Sequence, residues 1–216
     1  GTSNQVKGNL IGTDETGTIG LGNLNGVYIS GEASLNTVGG SSAGERNVIS
    51  SNTNYGVLIS GQFTGPNAVR GNYIGTNSAG TSALGNGTGV GITDWAHQNT
   101  IGGATPGERN VISGNSTGVF LFGAETRLNS VRGNYIGTTA DGTSPLGNIG
   151  SGINVTGGAH NNMIGGPAAG EGNVVSGNGS DGVHVFGGGT EQQFTYQGAP
   201  DPIPDFGGGA AFFPLN

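Results

Sequence analysis

The residues of this sequence that could carry chemistry are few and scattered. Among 216 residues there are 13 acids, three histidines and no cysteine. Asp14 and Glu15 are adjacent, and Asp141 lies in a later, related segment, but Asn77 and Ser78 stand at the matching place between them. Glycosidic hydrolysis ordinarily needs two carboxylates several ångströms apart, and Ca²⁺ takes about six to eight oxygen ligands. We therefore predict no catalytic residue, no cofactor and no metal, and interpret these acids as solvated loop carboxylates.

The histidines give a similarly weak signal for metal binding. His97 and His160 occupy matching positions of a repeat, with no carboxylate in the same register, so we interpret them as surface residues rather than as a metal pair. His184 alternates with Val183 and Val185 and is expected to point outward. Because there is no cysteine, disulfides, thiolate metal sites and thiol nucleophiles are excluded.

Charge and hydropathy restrict the possible partners. The net charge is −7 with only six basic residues, so the clustered Lys and Arg that grip nucleic acid are missing. No apolar run reaches the length of about 18 residues expected of a membrane span. The 49 glycines and the 9% of charged residues resemble low-complexity sequence, but 32% of the residues are hydrophobic and many recur at fixed intervals. We therefore predict a folded repeat protein that binds no nucleic acid and does not insert into a membrane.

The elements that must position these residues are short and repeated. The segment Asn4–Thr13 recurs as Asn67–Thr76 and as Asn129–Thr138, and a related segment lies between each pair. The repeating unit is about 31 residues long, and self-similarity at such a period is typical of a solenoid. Six units begin at Asn4, Asn36, Asn67, Asn99, Asn129 and Asn162.

Each unit contains three short pieces in which apolar residues alternate, which favours strands over helices. Glycine and asparagine lie between the pieces and suit tight corners. Three strands and three corners close one coil, and coils stacked about 4.8 Å apart form a parallel β-solenoid. In this register Val6, Ile11, Val27 and Ile29 of the first coil point inward.

The pattern Asn-x-Val-x-Gly-Asn-Tyr-Ile-Gly-Thr, followed by Leu-Gly-Asn and Gly-Val-x-Ile, resembles the right-handed parallel β-helix repeats of large bacterial surface and secreted proteins. The resemblance covers residues 1–190. It implies an all-β, right-handed parallel β-helix of about six three-stranded coils and an extracellular or cell-surface location. The fold also hosts polysaccharide lyases and hydrolases, but the polygalacturonase motifs Asn-Thr-Asp, Asp-Asp, Gly-His-Gly and Arg-Ile-Lys are missing, as is an acid–base cluster like that of pectate lyases.

Two sets of asparagines recur at the corners, and we predict that each set stacks into a hydrogen-bonded ladder with a structural role. One set comprises Asn9, Asn47, Asn72, Asn110, Asn134 and Asn173. The other comprises Asn23, Asn52, Asn86, Asn115, Asn148 and Asn178. Charges also alternate along one edge, where cations of odd-numbered coils are expected to meet acids of the next coil: Lys7, Arg70 and Arg132 with Glu45, Glu108 and Glu171.

Outward positions on the second strand form an apolar strip, defined by Leu10, Val48, Tyr73, Val111, Tyr135 and Val174. Such a strip marks a contact surface, although these residue types also simply suit strands. Composition changes near residue 190, and the segment 191–216 is predicted to be an extended tail rather than another coil. Its aromatic residues are expected to cover the strip of the same chain or of a neighbour: Phe194, Tyr196, Phe206, Phe212 and Phe213.

Three classes of function fit these features. The favoured one is a non-enzymatic structural subunit that stacks head to tail with its own copies, because the repeat begins in full register at Asn4 and the first coil offers an open edge. The alternatives are a segment of a large adhesin or stalk, and a protein that binds or cleaves a polysaccharide. Since the chain starts at Gly1, it is either a processed protein or a piece of a longer one. The predicted assembly residues are the inward residues of the first coil, Leu10, Tyr73, Tyr135 and the tail aromatics.

Overall fold

The computed structural model of the chain describes residues 1–187, and the predicted tail 191–216 with its aromatic residues lies outside this part. The described chain is an all-β parallel solenoid of six coils, as the repeat predicts. Each coil contributes one strand to each of three sheets, so every sheet has six parallel strands. None of the helical turns in residues 1–187 has the length and apolarity needed to cross a membrane.

The strands are short because each coil must turn three corners. The first sheet contains Gln5–Val6, Thr37–Gly39, Ala68–Arg70, Thr100–Gly102, Ser130–Arg132 and Met163–Ile164. The second contains Leu10–Ile11, Val48–Ile49, Tyr73–Ile74, Val111–Ile112, Tyr135–Ile136 and Val174–Val175. The third, with the longest strands, contains Asn25–Ile29, Tyr55–Ser60, Thr88–Thr93, Thr117–Phe122, Ile153–Thr156 and Val183–Val185.

Strand register follows the repeat, so each residue pairs with its counterpart one unit later. In the third sheet Val27 pairs with Val57, and Val57 pairs with Val90. Because side chains alternate between the two faces of a strand, this register carries every inward apolar residue onto the next one. The predicted stacking of equivalent strands is confirmed.

The core is a continuous apolar column inside the coils. The inward residues Val69, Ile74, Val90 and Ile92 of the third coil are completely buried. In the first coil Ile29 is 8% exposed, while Val6, Ile11 and Val27 are partly buried against the same core. Burial of such aliphatic side chains stabilises the fold by about 1.5–3 kcal/mol each, which offsets the entropy cost of a glycine-rich chain.

Two kinds of loop extend from alternate coils, on two different edges. The first kind, 13–22 and its counterparts, folds back in a short antiparallel bridge, as between Thr13 and Gly20. The second kind contains a 3₁₀ turn in two coils, Ala43–Glu45 and Pro106–Glu108. Each turn ends at the glutamate predicted to form an edge ion pair, so the loops place those acids.

Candidate assembly surfaces

The two predicted asparagine ladders are present. In the first, the backbone N–H and the Nδ2 of Asn72 donate to Oδ1 of Asn110 at 3.0 and 3.1 Å. The same Nδ2 also donates to the carbonyl oxygen of Val38 at 2.9 Å. Each interior amide therefore bonds to the coils on both sides of its own and satisfies a backbone carbonyl at the corner. The second ladder repeats this geometry, for example from Asn86 to Asn115.

A third ladder runs along the remaining corner, and the sequence interpretation missed it. In it, Asn67 donates from its backbone N–H and its Nδ2 to Oδ1 of Asn99 at 2.9 and 3.0 Å. Its members are the six asparagines that begin the repeating units, so the signal was in the sequence. All three corners of the solenoid thus carry a hydrogen-bonded asparagine ladder.

All three ladders point in one direction. In the first five coils, the backbone N–H and the Nδ2 of every ladder asparagine donate to the Oδ1 of its counterpart in the next coil, never in the preceding coil. Within residues 1–187, Oδ1 of the first-coil asparagines accepts no hydrogen bond, and the backbone N–H of the last-coil asparagines donates none. The two end faces of the described solenoid therefore carry complementary groups: acceptors on Asn4, Asn9 and Asn23, and donors on Asn162, Asn173 and Asn178.

The predicted edge ion pairs form between adjacent coils. The Nζ of Lys7 lies 2.6 Å from Oε1 of Glu45, and Nη1 of Arg70 lies 3.0 Å from Oε1 of Glu108. Arg132 and Glu171 repeat the pair at 2.5 Å. The other carboxylate oxygen, Oε2, accepts loop groups, such as the backbone N–H of Ser41 at 3.0 Å for Glu45. The glutamates therefore hold their own loops as well as the cation of the preceding coil.

These hydrogen bonds lower the pKa values of Glu45 and Glu108. The hydrogen bond from Lys7, followed by those from the loop amides, lowers the pKa of Glu45 from its ordinary value of 4.5 to about 2. Partial burial raises the pKa of Glu108, but the hydrogen bonds from Thr105 and Arg70 outweigh it, so the net shift is downward. A carboxylate with a depressed folded pKa stabilises the fold above its unfolded pKa and loses that effect as the pH falls through the folded value.

We expect the melting temperature of the protein to fall between pH 4.5 and about 2, and Glu45→Gln to weaken this dependence. The neutral amide retains hydrogen bonding but has no proton to take up. Circular dichroism melts across this pH range measure the effect. Glu15→Gln is the control, because Glu15 is an exposed acid outside the ion pairs. A Glu45→Gln profile that parallels both wild type and the control would contradict the assignment.

The outward strip on the second sheet is largely covered in its middle by groups of the same chain. Val48 and Val111 are 5% and 2% exposed. The guanidinium carbons of Arg46 and Arg109 lie 4.1 Å from the ring centroids of Tyr73 and Tyr135, respectively. Cation–π contacts and neighbouring loops of the same chain therefore cover the middle of the strip. Leu10 and Val174 at the two ends of the strip are 41% and 40% exposed. Coverage by the tail or by a neighbour stays a prediction, because the tail lies outside the described residues.

Asp14 organises its own loop. Its carboxylate accepts hydrogen bonds from the Thr16 hydroxyl at 2.7 Å and from the backbone N–H groups of Thr18 and Ile19 at 2.9 Å. In the equivalent loop the neutral Asn77 accepts from two backbone N–H groups in the same way. The loop therefore needs an acceptor at this place rather than a charge.

His97 and His160 do not face each other. Arg127 lies between them, in register with both on the intervening coil. A guanidinium at this place repels a metal cation. Within residues 1–187, no cluster of three or more histidines and acids has the arrangement of a metal site. His184 is half-buried and lies in register with the outward Asn154.

Comparison with protein-family models, with curated proteins and with solved structures finds no match to this chain.

Proposed function

We propose that this protein is a non-enzymatic structural subunit, located outside the cell or at its surface, which stacks head to tail on its own copies to form a filament. The observation that carries the proposal is the direction of the three asparagine ladders. Their acceptors lie on one end face and their donors on the other, so a second copy can add to the ladders only in the head-to-tail sense. Such a heterologous contact does not close on itself and yields an open fibre.

Apolar groups on the two end faces support the same arrangement. Val6 and Val27 line a cavity of about 290 Å³ at the first coil, together with Ile29, Ala33 and Val38. At the last described coil Val183 and Val185 are 44% and 71% exposed. In the interior of the solenoid the equivalent side chains are completely buried by the next coil. A stacked copy would bury them in the same way, in addition to pairing the open strand edges.

The chemistry of the charged residues is consistent with a structural role. Glu45, Glu108 and Glu171 hold loops and ion pairs, and Asp14 holds its own loop. These acids are thus already engaged in structural hydrogen bonds.

Electron microscopy of the purified full chain tests the proposal. Wild type is expected to form unbranched fibres with a subunit repeat of about 29 Å, which is six coils of about 4.8 Å. The double variant Ile11→Lys and Val27→Lys, which charges the first end face, should remain as single particles. Ile149→Lys is the matched control, because Ile149 is 77% exposed on a loop, and its fibres should be unchanged.

Circular dichroism must show that the double variant keeps its β-structure, since a lysine that unfolds the first coil would mimic loss of assembly. Wild-type protein that remains as single particles even when it is concentrated would overturn the proposal. So would fibres of the folded double variant with the wild-type repeat.

A further inference from the structure

Two exposed aromatic rings stand at one corner of the solenoid, where each coil turns after its strand in the third sheet. Phe63 is 58% exposed and Trp95 is 50% exposed. They occupy equivalent places in adjacent coils, since the residues that follow them stack, with the His97 N–H donating to the Thr64 carbonyl at 3.2 Å. Neither ring stacks on another aromatic ring within residues 1–187. Their faces are therefore open to a ligand.

The backbone at this corner is unusual for such residues. Trp95 has a φ of 75° and the preceding Asp94 a φ of 53°. The residues equivalent to Asp94 in the first and fifth coils are Gly31 and Gly157, with φ of 66° and 65°. A bulky side chain disfavours this region, and the half-exposed indole ring is not part of the core that would offset the cost.

The carboxylate of Asp94, the residue that precedes Trp95, is held in a fixed position. Its Oδ2 accepts hydrogen bonds from the hydroxyls of Ser60 at 2.7 Å and Thr93 at 2.9 Å, and both of these residues are buried. Its Oδ1 accepts no hydrogen bond within the described chain. Burial of Tyr55, followed by the negative charge of Asp94, raises the pKa of the Tyr55 hydroxyl. One oxygen of an oriented carboxylate is thus free for a ligand.

The chain itself has no lysine or arginine left for this site. Four are engaged in ion pairs and two lie over tyrosine rings: Lys7, Arg70, Arg127, Arg132, Arg46 and Arg109. Arg127 lies at the same corner on the coil after Trp95, but it is paired with Glu125. The corner carries a further acid, Glu32, at the place equivalent to Phe63 one coil earlier. The surroundings are therefore negative, and a cation that neutralises them must come from another molecule.

We propose that Phe63, Trp95 and Asp94 form a binding site for an organic cation, specifically an alkylammonium group. The electron-rich faces of exposed aromatic rings attract ammonium groups, and a neighbouring carboxylate adds a charge-assisted contact. The same protein already uses cation–π geometry twice, at 4.1 Å, on the second sheet. This site lies on the side of the solenoid rather than on its end faces, so it is independent of the proposed stacking.

The fluorescence of Trp95 reports on the site directly, because it is the only tryptophan of the chain. Titration of the full-length protein with choline chloride is expected to shift the emission in a saturable way. The neutral isostere 3,3-dimethylbutan-1-ol and an equal concentration of sodium chloride should not. No saturable shift with choline, or an equal shift with the neutral alcohol or with a neutral oligosaccharide, would overturn the proposal.

Three variants separate a specific contact with the cation from a general effect of charge. Asp94→Gly, which places glycine where the first and fifth coils have it, should weaken choline binding by about threefold to fivefold. Asp14→Asn removes the same charge from a loop whose counterpart already has Asn77, and should leave the affinity unchanged. Equal weakening by both variants would show a general charge effect and refute the site. As a second readout, Trp95→Gly should abolish NMR saturation transfer to the choline methyl protons, and retained transfer would also refute it.

Discussion

Replacing Asn110 with alanine is expected to lower the free energy of unfolding by about 4 kcal/mol. The side chain of Asn110 is completely buried in the first ladder. Its Oδ1 accepts the backbone N–H of Asn72 at 3.0 Å, and its Nδ2 donates to the carbonyl of Val69 at 2.8 Å. The variant leaves the buried N–H of Asn72 without its acceptor, at a cost of about 1–3 kcal/mol, removes the amide bond to the Val69 carbonyl, and opens a cavity. Urea unfolding followed by circular dichroism measures the loss.

The matched control for this prediction is Asn9→Ala, in the first coil of the same ladder. Asn9 is exposed and donates to Oδ1 of Asn47 at 3.0 Å, but its own Oδ1 accepts nothing within residues 1–187. Water can replace its bonds, so we expect a loss of about 1 kcal/mol or less. If Asn110→Ala and Asn9→Ala lower the free energy of unfolding by the same amount, the burial of a ladder asparagine does not determine its contribution to stability, and the explanation fails.

The substitution Gly102→Ala is expected to destabilise the fold by about 2–5 kcal/mol. Gly102 has a φ of +87°, and a Cβ at this place would lie 2.0 Å from the carbonyl oxygen of Arg132 on the next coil. The left-handed conformation costs an alanine about 1–2 kcal/mol, and overlap with the backbone of a packed neighbour costs about 1–3 kcal/mol more. Thermal and urea unfolding measure the effect.

Gly31→Ala separates the two contributions. Gly31 has a φ of +66°, but a Cβ there meets nothing within 4 Å. We expect only the conformational cost, about 1–2 kcal/mol. Equal destabilisation by Gly31→Ala and Gly102→Ala would mean that the close approach of coils contributes little to the need for glycine.

Several contacts within the solenoid could be predicted because the repeat relates each residue to its counterpart one coil later. The stacking of Val27, Val57 and Val90 follows from the alternation of apolar residues. The ladder from Asn72 to Asn110 follows from the same spacing, because equivalent residues of stacked coils lie within hydrogen-bond reach. Even the Arg70–Glu108 pair was predictable, since both residues recur at one corner.

Contacts between different columns of residues were not predictable. Arg46 covers Tyr73, and Arg109 covers Tyr135, although the sequence shows only that an arginine follows a glutamate in two loops. In each case the contact depends on how a loop folds over its neighbours, and the repeat period carries no information about this.

The sequence by itself determined the number of coils, the parallel register and the inward residues, because a period of about 31 residues with alternating apolar positions satisfies hydrogen bonding and burial in only one stacked arrangement. The tertiary structure decided which outward residues are covered and which polar atoms keep a partner. Val48 is buried while Leu10, its counterpart in the first coil, is exposed. The exposed fraction of a side chain depends on every group packed around it. Equivalent positions of a repeat therefore differ in exposure wherever the loops and coils around them differ.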